Sequence, residues 1–215
     1  MALDFKIIPV TPFEQNCSIV WCTNTQLAAV IDPGGEVAKI KQLIDELGLV
    51  LDKILITHAH LDHAGGAAEL ARNTSTPIVG PHTADQFWID LLPEQCKRFN
   101  FEGERFVPDQ WLEHGDRVLL GDLAFDVVHC PGHTPGHVVF IEKTYRFAAV
   151  GDVLFKGSIG RSDFPQGNQE HLINSIRNRL FPLGDETQFI PGHGPMSTFG
   201  QERKTNPFVA DKRFG

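Results

Sequence analysis

The order of short apolar runs and helical patterns constrains the fold of this 215-residue chain more than any other feature. Three runs rich in isoleucine and valine, separated by turn residues, predict a meander of strands at Phe5–Val10, Cys17–Cys22 and Leu27–Ile31. Apolar residues at helical spacing then predict a helix over Glu36–Leu47, and Lys53–Thr57 reads as a compact buried strand. Strand, helix and strand in this order indicate a crossover unit with parallel pairing.

A second block of strands followed by a helix comes later in the chain. Strand patterns occur at Val118–Leu120, Leu123–His129, Val138–Ile141, Arg146–Val150 and Gln188–Ile190, and a helical pattern spans Gln169–Leu180. Two sheets packed face to face between outer helices satisfy this order. The sequence therefore predicts an α/β fold, a four-layer αββα sandwich, formed as one domain over residues 1–215.

The region between the two blocks has weaker patterns. It predicts a helix over Ala64–Arg72, a short strand at Ile78–Gly80 and a helix over Ala84–Leu91. Residues 93–110 contain two prolines and little periodicity, so we expect them to be irregular.

Composition excludes several classes of function. The 19 basic and 27 acidic residues give a formal charge of −8, which does not supply the basic face that nucleic-acid binding needs. No run of about 18 apolar residues could span a membrane, and the first ten residues do not resemble a signal peptide. The four cysteines are scattered without a CxxC pair, which favours a reducing compartment. We therefore expect a cytoplasmic protein.

The strongest chemical signal is Thr57-His58-Ala59-His60-Leu61-Asp62-His63, which directly follows a predicted strand. His58 and His60 are two residues apart, so in extended backbone both imidazoles point the same way. Asp62 and His63 follow at once, and four donors within six residues is a density typical of metal ligands. Histidine with carboxylate oxygen suits zinc, iron or manganese.

Three further segments place a histidine or an aspartate directly after a strand. They carry His133 in CPGHTPGH, Asp152 in the Gly-Asp pair, and His193 in PGHGP. Adjacent glycines permit tight turns and close approach of the backbone. One such segment alone would be a weak signal, but four in one chain favour a shared site.

The motif HAHLDH, followed in order by PGHTPGH, GD and PGHG, resembles the metallo-β-lactamase-fold hydrolase superfamily over nearly the whole chain. Within that superfamily the sequence is most similar to the small bacterial type II glyoxalases (hydroxyacylglutathione hydrolases), especially through GDVLFKGSIGRSDFP at 151–165. The resemblance implies an αββα sandwich with a metal site at the edge where the two sheets meet. Only 22 residues follow His193, fewer than the C-terminal helical substrate domain of the longer enzymes would need.

The resemblance also implies a set of metal ligands. Two divalent ions are expected, zinc first, with iron or manganese as alternatives. The first ion would be held by His58, His60 and His133. The second would be held by Asp62, His63 and His193, with Asp152 bridging both. His137 is expected to support the site rather than to bind metal.

The implied reaction is hydrolysis of acyl-glutathione thioesters such as S-lactoylglutathione to a hydroxy acid and glutathione, a step of methylglyoxal detoxification. A hydroxide held by the metals would attack the acyl carbon, and Asp62 would orient it as the catalytic residue. The resemblance further assigns Arg161 to a glutathione carboxylate, and Phe155 and Lys156 to the lining of the site. Ser162 and Asp163 stand where the longer enzymes carry aromatic residues.

One alternative belongs to a different reaction class. Mononuclear-iron persulfide dioxygenases share this fold and carry a GR-x-DF stretch like Gly160–Phe164, and they would use His58, His133 and Asp152. A β-lactamase is disfavoured because it would more often have cysteine at position 152. A non-catalytic module would be expected to have lost ligands. We expect a small-molecule substrate, no nucleic-acid or membrane partner, and a monomer or weak oligomer.

Overall fold

Two β-sheets form the centre of the fold. The computed structural model describes residues 2–211, so both ends of the predicted domain 1–215 lie outside the described residues. The first sheet consists of β1 (Leu3–Val10), β2 (Gln15–Cys22), β3 (Leu27–Ile31), β4 (Val50–Leu55) and β5 (Ile78–Val79), adjacent in that order. Its first three strands are antiparallel, whereas β3, β4 and β5 run parallel, as the strand–helix–strand pattern predicts.

The second sheet has six strands. They are β6 (Arg117–Leu120), β7 (Leu123–His129), β8 (Val138–Glu142), β9 (Phe147–Gly151), β12 (Gln188–Pro191) and β13 (Ser197–Thr198). Their order is β13-β12-β9-β8-β7-β6, and only β9 and β12 pair in parallel. A separate two-stranded hairpin, β10 (Leu154–Phe155) with β11 (Ser158–Ile159), follows β9.

The helices lie outside the sheets. They are α1 (Val37–Glu46), α2 (Leu61–Ala64), α3 (Ala67–Thr74), α4 (Gln86–Phe99), α5 (Gln169–Ser175) and α6 (Phe199–Thr205). The chain continues from α5 through a π-helical turn to Leu180. Among the residues described, none of these helices has the length and apolar character needed to cross a membrane.

Three separate apolar cores confirm the four-layer αββα sandwich. One core packs α1, α3 and α4 on the outer face of the first sheet. A second core fills the space between the two sheets. The third packs α5, its continuation and α6 on the outer face of the second sheet. Neighbouring residues of one strand enter different cores, as Ile54 and Leu55 do, because side chains alternate across a sheet. Strands buried on both faces therefore appear in the sequence as continuous apolar runs.

The structure corrects the prediction for the region after Leu91. Helix α4 continues through Pro93 to Phe99, whereas the sequence predicted irregular structure from residue 93. A proline removes one backbone hydrogen bond, but Leu92 and Cys96 on either side of it are buried in the outer core of the first sheet. Tertiary packing therefore outweighs the local preference.

Other differences involve short elements. The helix predicted over Ala64–Arg72 corresponds to α3, which begins three residues later, and the short helix α2 before Gly65 and Gly66 was not predicted. The sequence analysis did not predict the β10–β11 hairpin, β13 or α6. Two-residue strands and a seven-residue helix carry too little periodicity to be recognised from sequence.

Phe125 on β7 tests the core between the sheets. It is fully buried, so Phe125→Ala is expected to lower the free energy of unfolding by about 3–5 kcal/mol, as large-to-small core substitutions do. Urea denaturation followed by circular dichroism measures this change. Leu119→Ala on β6 is the control, because Leu119 is 61% exposed and its loss should have little effect. Equal losses in both variants would contradict the assigned core.

Candidate metal centre

All four predicted donor segments reach the same edge of the sandwich. His58 and His60 follow β4, and His133 lies in the loop between β7 and β8. Asp152 follows β9, and His193 follows β12. Asp62 and His63, by contrast, lie on the short helix α2, which turns both side chains back toward this edge.

Two groups of three side chains converge there. The donor atoms of His58, His60 and His133 lie within 4.8 Å of one another, and all three residues are buried. Nδ1 of His60 is 2.9 Å from Nε2 of His133. The second group is Asp62, His63 and His193, again within 4.8 Å.

Asp152 lies between the two groups. Its Oδ2 is 3.5 Å from Nε2 of His133, in the first group. Its Oδ1 is 3.3 Å from Nε2 of His63, in the second, and its Oδ2 is 3.9 Å from Nε2 of His193. The structure thus brings together all seven residues that the sequence singled out, in the two predicted sets.

The chemistry of these atoms fits divalent metal ions. Nε2 of His58 and Nε2 of His60 are buried and have no hydrogen-bond partner among the described residues, and Nε2 of His63 faces Oδ1 of Asp152 at 3.3 Å. Burial of polar atoms without a partner is costly, and imidazole nitrogen with carboxylate oxygen is a donor set that divalent transition metals prefer. The residues present could therefore hold divalent ions at this edge.

Asp32, which the sequence analysis did not single out, supports both groups. Its Oδ2 accepts hydrogen bonds from the Thr57 hydroxyl at 2.6 Å and from Nδ1 of His63 at 2.9 Å, while Oδ1 accepts from the Thr57 backbone N–H. The Thr57 hydroxyl lies in turn 3.0 Å from Nδ1 of His58. Asp32 also lies within 4.8 Å of donor atoms of both histidines. Because its oxygens already accept three hydrogen bonds, it orients these rings.

Backbone carbonyls orient two more rings. Nδ1 of His133 lies 2.7 Å from the Arg161 carbonyl oxygen, and Nδ1 of His193 lies 3.1 Å from that of Phe13. Such contacts fix which nitrogen carries the proton and orient the other nitrogen toward the neighbouring donors. His137 has the supporting position expected of it: its Nε2 accepts the Asp152 backbone N–H at 3.1 Å, and its ring stacks on His58.

Burial and neighbouring charges shift the pKa values of the donor histidines in opposite directions. Burial, together with neighbouring imidazoles, holds the pKa values of His58 and His60 well below their usual range. For His63 burial also favours the neutral ring, but the carboxylates of Asp152 and Asp62 outweigh it and raise the pKa. A cation bound there displaces that proton, so metal affinity is expected to fall as the pH falls.

Asp85 is a second residue that the sequence analysis missed. It is fully buried, and its carboxylate accepts hydrogen bonds from the Ala59 N–H at 3.0 Å, the Thr134 hydroxyl at 2.9 Å and the Gly136 N–H at 2.6 Å. Burial raises the pKa of Asp85 to about 6, against these three hydrogen bonds. Asp85 thereby joins the loop of His58 and His60 to the loop of His133.

A cavity of about 670 Å³, within the size range of ligand pockets, opens beside the donors. His60 and Asp62 line it, together with residues of α4, Phe13 and the segment 161–165. Of the three residues predicted to contact substrate, Arg161 lines this cavity. The Phe155 ring lies 6.4 Å from that of His193 and is not part of the cavity wall. Lys156 is exposed in the turn between β10 and β11 and is not part of the cavity wall.

Gly192→Ala tests the close approach of the backbone to the donors. A Cβ atom at Gly192 would lie 2.1 Å from Oδ1 of Asp152 and 2.6 Å from Cε1 of His63. We expect at least a tenfold loss of metal affinity without loss of the fold, measured by metal content after desalting and by circular dichroism. The control is Gly35→Ala, whose Cβ would meet only a Thr11 methyl group at 3.3 Å. Unchanged metal content in the Gly192 variant would contradict the placement of these donors.

Asp85→Asn tests the junction between the two loops. Both carboxylate oxygens of Asp85 accept hydrogen bonds. In asparagine one of these oxygens is replaced by an NH₂ group, which would face an N–H or O–H donor and could not accept from it. We expect metal affinity to fall about 10–100-fold, as for other supporting residues of metal sites, in competition with a chromophoric chelator. Asp45→Asn, on the exposed face of α1, should leave the affinity unchanged. Equal affinities in the Asp85 and Asp45 variants would exclude this role.

Comparison with known proteins places the chain in a family. The family model described as the metallo-beta-lactamase superfamily matches residues 10–193. Hydroxyacylglutathione hydrolase GloC of Haemophilus influenzae is 47% identical to this chain, and the match covers 98% of this chain and 100% of that protein.

Two solved structures are similar to this one over nearly their whole length. The BLEG-1 B3 metallo-beta-lactamase has a TM-score of 0.88 and 32% identity, covering 99% of this chain and 100% of that one. TTHA1623 in a di-iron-bound form has a TM-score of 0.86 and 35% identity, covering 95% of this chain and 100% of that one. With its αββα layers and histidine–aspartate centre, the chain belongs to the metallo-β-lactamase superfamily.

Proposed function

We propose that this enzyme hydrolyses acyl-glutathione thioesters such as S-lactoylglutathione, releasing a hydroxy acid and glutathione. The observation that carries the proposal is the convergence of seven histidine and aspartate side chains beside a cavity whose wall includes His60 and Asp62. The relative named hydroxyacylglutathione hydrolase, which matches 98% of the chain, supports this choice of substrate.

Bound divalent ions would lower the pKa of water and polarise the thioester carbonyl. The chain's own residues would position the reactants. Asp62 lines the cavity, and its Oδ2 is 3.1 Å from Nε2 of His193. It is therefore placed to accept a hydrogen bond from the attacking water and to orient it toward the acyl carbon. The new C–O bond forms, the C–S bond breaks and the sulfur leaves as a thiolate, while the proton that the water loses passes to solvent. The thiolate needs no strong acid because thiols have a pKa of about 8.5.

The cofactors that we propose are two divalent ions, one in each group of donors, with Asp152 between them. Zinc is the first expectation. Iron is supported as an alternative by the relative solved in a di-iron-bound form, and manganese suits the same donors. The four cysteines are free and buried, which supports the proposed cytoplasmic location.

Release of thiol from S-lactoylglutathione tests the proposal directly. Purified enzyme loaded with zinc, iron or manganese is expected to release thiol rapidly, and chelator treatment should abolish the release. A chromogenic cephalosporin is the comparison substrate, because one similar structure is a B3 metallo-beta-lactamase. Faster turnover of the cephalosporin than of the thioester would contradict the proposed substrate class. No thiol release from any metal-loaded sample would favour the persulfide dioxygenase alternative, which predicts oxygen uptake with glutathione persulfide.

Asp152→Ala tests the proposed bridging role. Removal of a carboxylate that contacts both donor groups is expected to reduce metal content and to lower kcat by at least about 100-fold, the loss typical when an electrostatic contact to the reacting centre is removed. Metal analysis and thiol release on the same sample measure both effects. Asp45→Ala is the control on the surface of α1. Full activity of the Asp152 variant would refute the bridging role.

A further inference from the structure

One face of α4 forms a wall of the cavity beside the donor groups. Trp88, Leu91, Gln95 and Arg98 recur every three or four residues along the helix and all line the cavity. At the inner end the Trp88 ring lies 4.5 Å from that of His60. Arg98 lies in the last turn, so this helix links the metal centre to the far part of the cavity. If the substrate is an acyl-glutathione, as proposed above, this wall lies beside its glutathione portion.

Arg161 is poorly placed to bind a carboxylate of the substrate with its guanidinium fork. Its Nε and Nη2 already bond to the two carboxylate oxygens of Asp163 at 2.9 and 2.8 Å. Its guanidinium also lies over the Phe164 ring, 4.5 Å from the centroid. The positive charge of Arg161 is therefore largely balanced within the segment 161–164.

Arg98 is the other cation that lines this cavity, and it is exposed. Within residues 2–211 its guanidinium has no carboxylate within ion-pair distance, and its recorded contact is with the Phe99 ring, 5.7 Å to the centroid. An arginine fork without a carboxylate partner can bind one bidentately. Across the cavity mouth, Phe13 packs edge-on against Phe99 and supplies an apolar rim.

The length of α4 between Trp88 and Arg98 suits an extended tripeptide. Arg98 follows Trp88 by ten residues, so their Cα atoms are about 15 Å apart along the helix axis. Helical side chains lean toward the N-terminus, which here is toward His60. A long arginine side chain thus shortens this separation by several ångströms, and an extended tripeptide spans roughly 10 Å.

We propose that Arg98 binds a carboxylate of the glutathione portion of the substrate and is the main determinant of specificity for a charged thiol. The proposal rests on the proposed thioesterase function and extends it to a residue that the sequence motifs did not indicate. Arg98 lies on the wall of the cavity, far along α4 from the donors. Its loss should therefore weaken substrate binding and leave the chemical step intact.

Comparison of two thioesters with the same acyl group tests this role. S-lactoylglutathione carries two carboxylates, and S-lactoyl-N-acetylcysteamine carries none. For Arg98→Ala we expect KM for S-lactoylglutathione to rise about tenfold or more, the loss typical of a hydrogen bond to a charged group. We expect kcat to stay within about twofold, and KM for the uncharged thioester to be unchanged. Arg98→Lys should restore part of the loss, because it keeps the charge without the fork.

Lys97→Ala is the matched control. It removes one positive charge from the same helical turn, but Lys97 is not part of the cavity wall. It should leave both KM values unchanged. Equal changes for the two substrates in the Arg98 variant, or equal changes in the Arg98 and Lys97 variants, would overturn the proposal.

Binding of S-hexylglutathione, measured by calorimetry, separates failure of the two proposals. If the wild-type enzyme binds this ligand but hydrolyses no thioester, the proposed function fails. The role of Arg98 then depends on whether Arg98→Ala weakens binding while Lys97→Ala does not. If the wild-type enzyme neither binds the ligand nor hydrolyses the thioester, the Arg98 proposal fails as well.

Discussion

The structure depends on a set of buried donor atoms at the edge of the two sheets, some of which have no hydrogen-bond partner among residues 2–211. Nε2 of His63 faces the Asp152 carboxylate at 3.3 Å, whereas Nε2 of His58 and of His60 have no hydrogen-bond partner there. Such atoms destabilise a fold unless something binds them. A cation that binds only the folded state adds to stability in proportion to the logarithm of its concentration. Metal binding and folding are therefore coupled at this edge.

Two carboxylates determine where these donors point. Asp32, after β3, holds Thr57 and His63 and so fixes the segment that follows β4. Asp85 bonds to both the loop after β4 and the loop after β7, which belong to different sheets. The geometry of the centre thus follows from these buried contacts between loops as much as from the strands.

The sequence singled out the donor segments because they are concentrated in motifs at strand ends, and the resemblance to the superfamily divided their side chains into two sets. It could not predict Asp32 or Asp85, because an aspartate without a motif acquires its role only when distant loops meet. The sequence analysis also ended α4 too early. Pro93 is visible in the local sequence as a helix breaker, whereas the burial of Leu92 and Cys96 depends on tertiary packing, which the local sequence does not show. The role proposed for Arg98 was missed for the same reason. When a residue is assigned to an irregular segment, the sequence does not predict which neighbours its side chain faces.

Under the proposed function, the chemical step and substrate binding would meet at His60. Its ring contacts Trp88 of α4 at 4.5 Å and Phe164 at 4.8 Å, and both aromatic residues line the cavity. A change at either ring would therefore disturb a metal donor together with the substrate. Residues farther along α4 have no such contact with the donors. Because of this separation, the outer turns of α4 could vary in sequence and alter the preferred thiol while the metal centre stays intact.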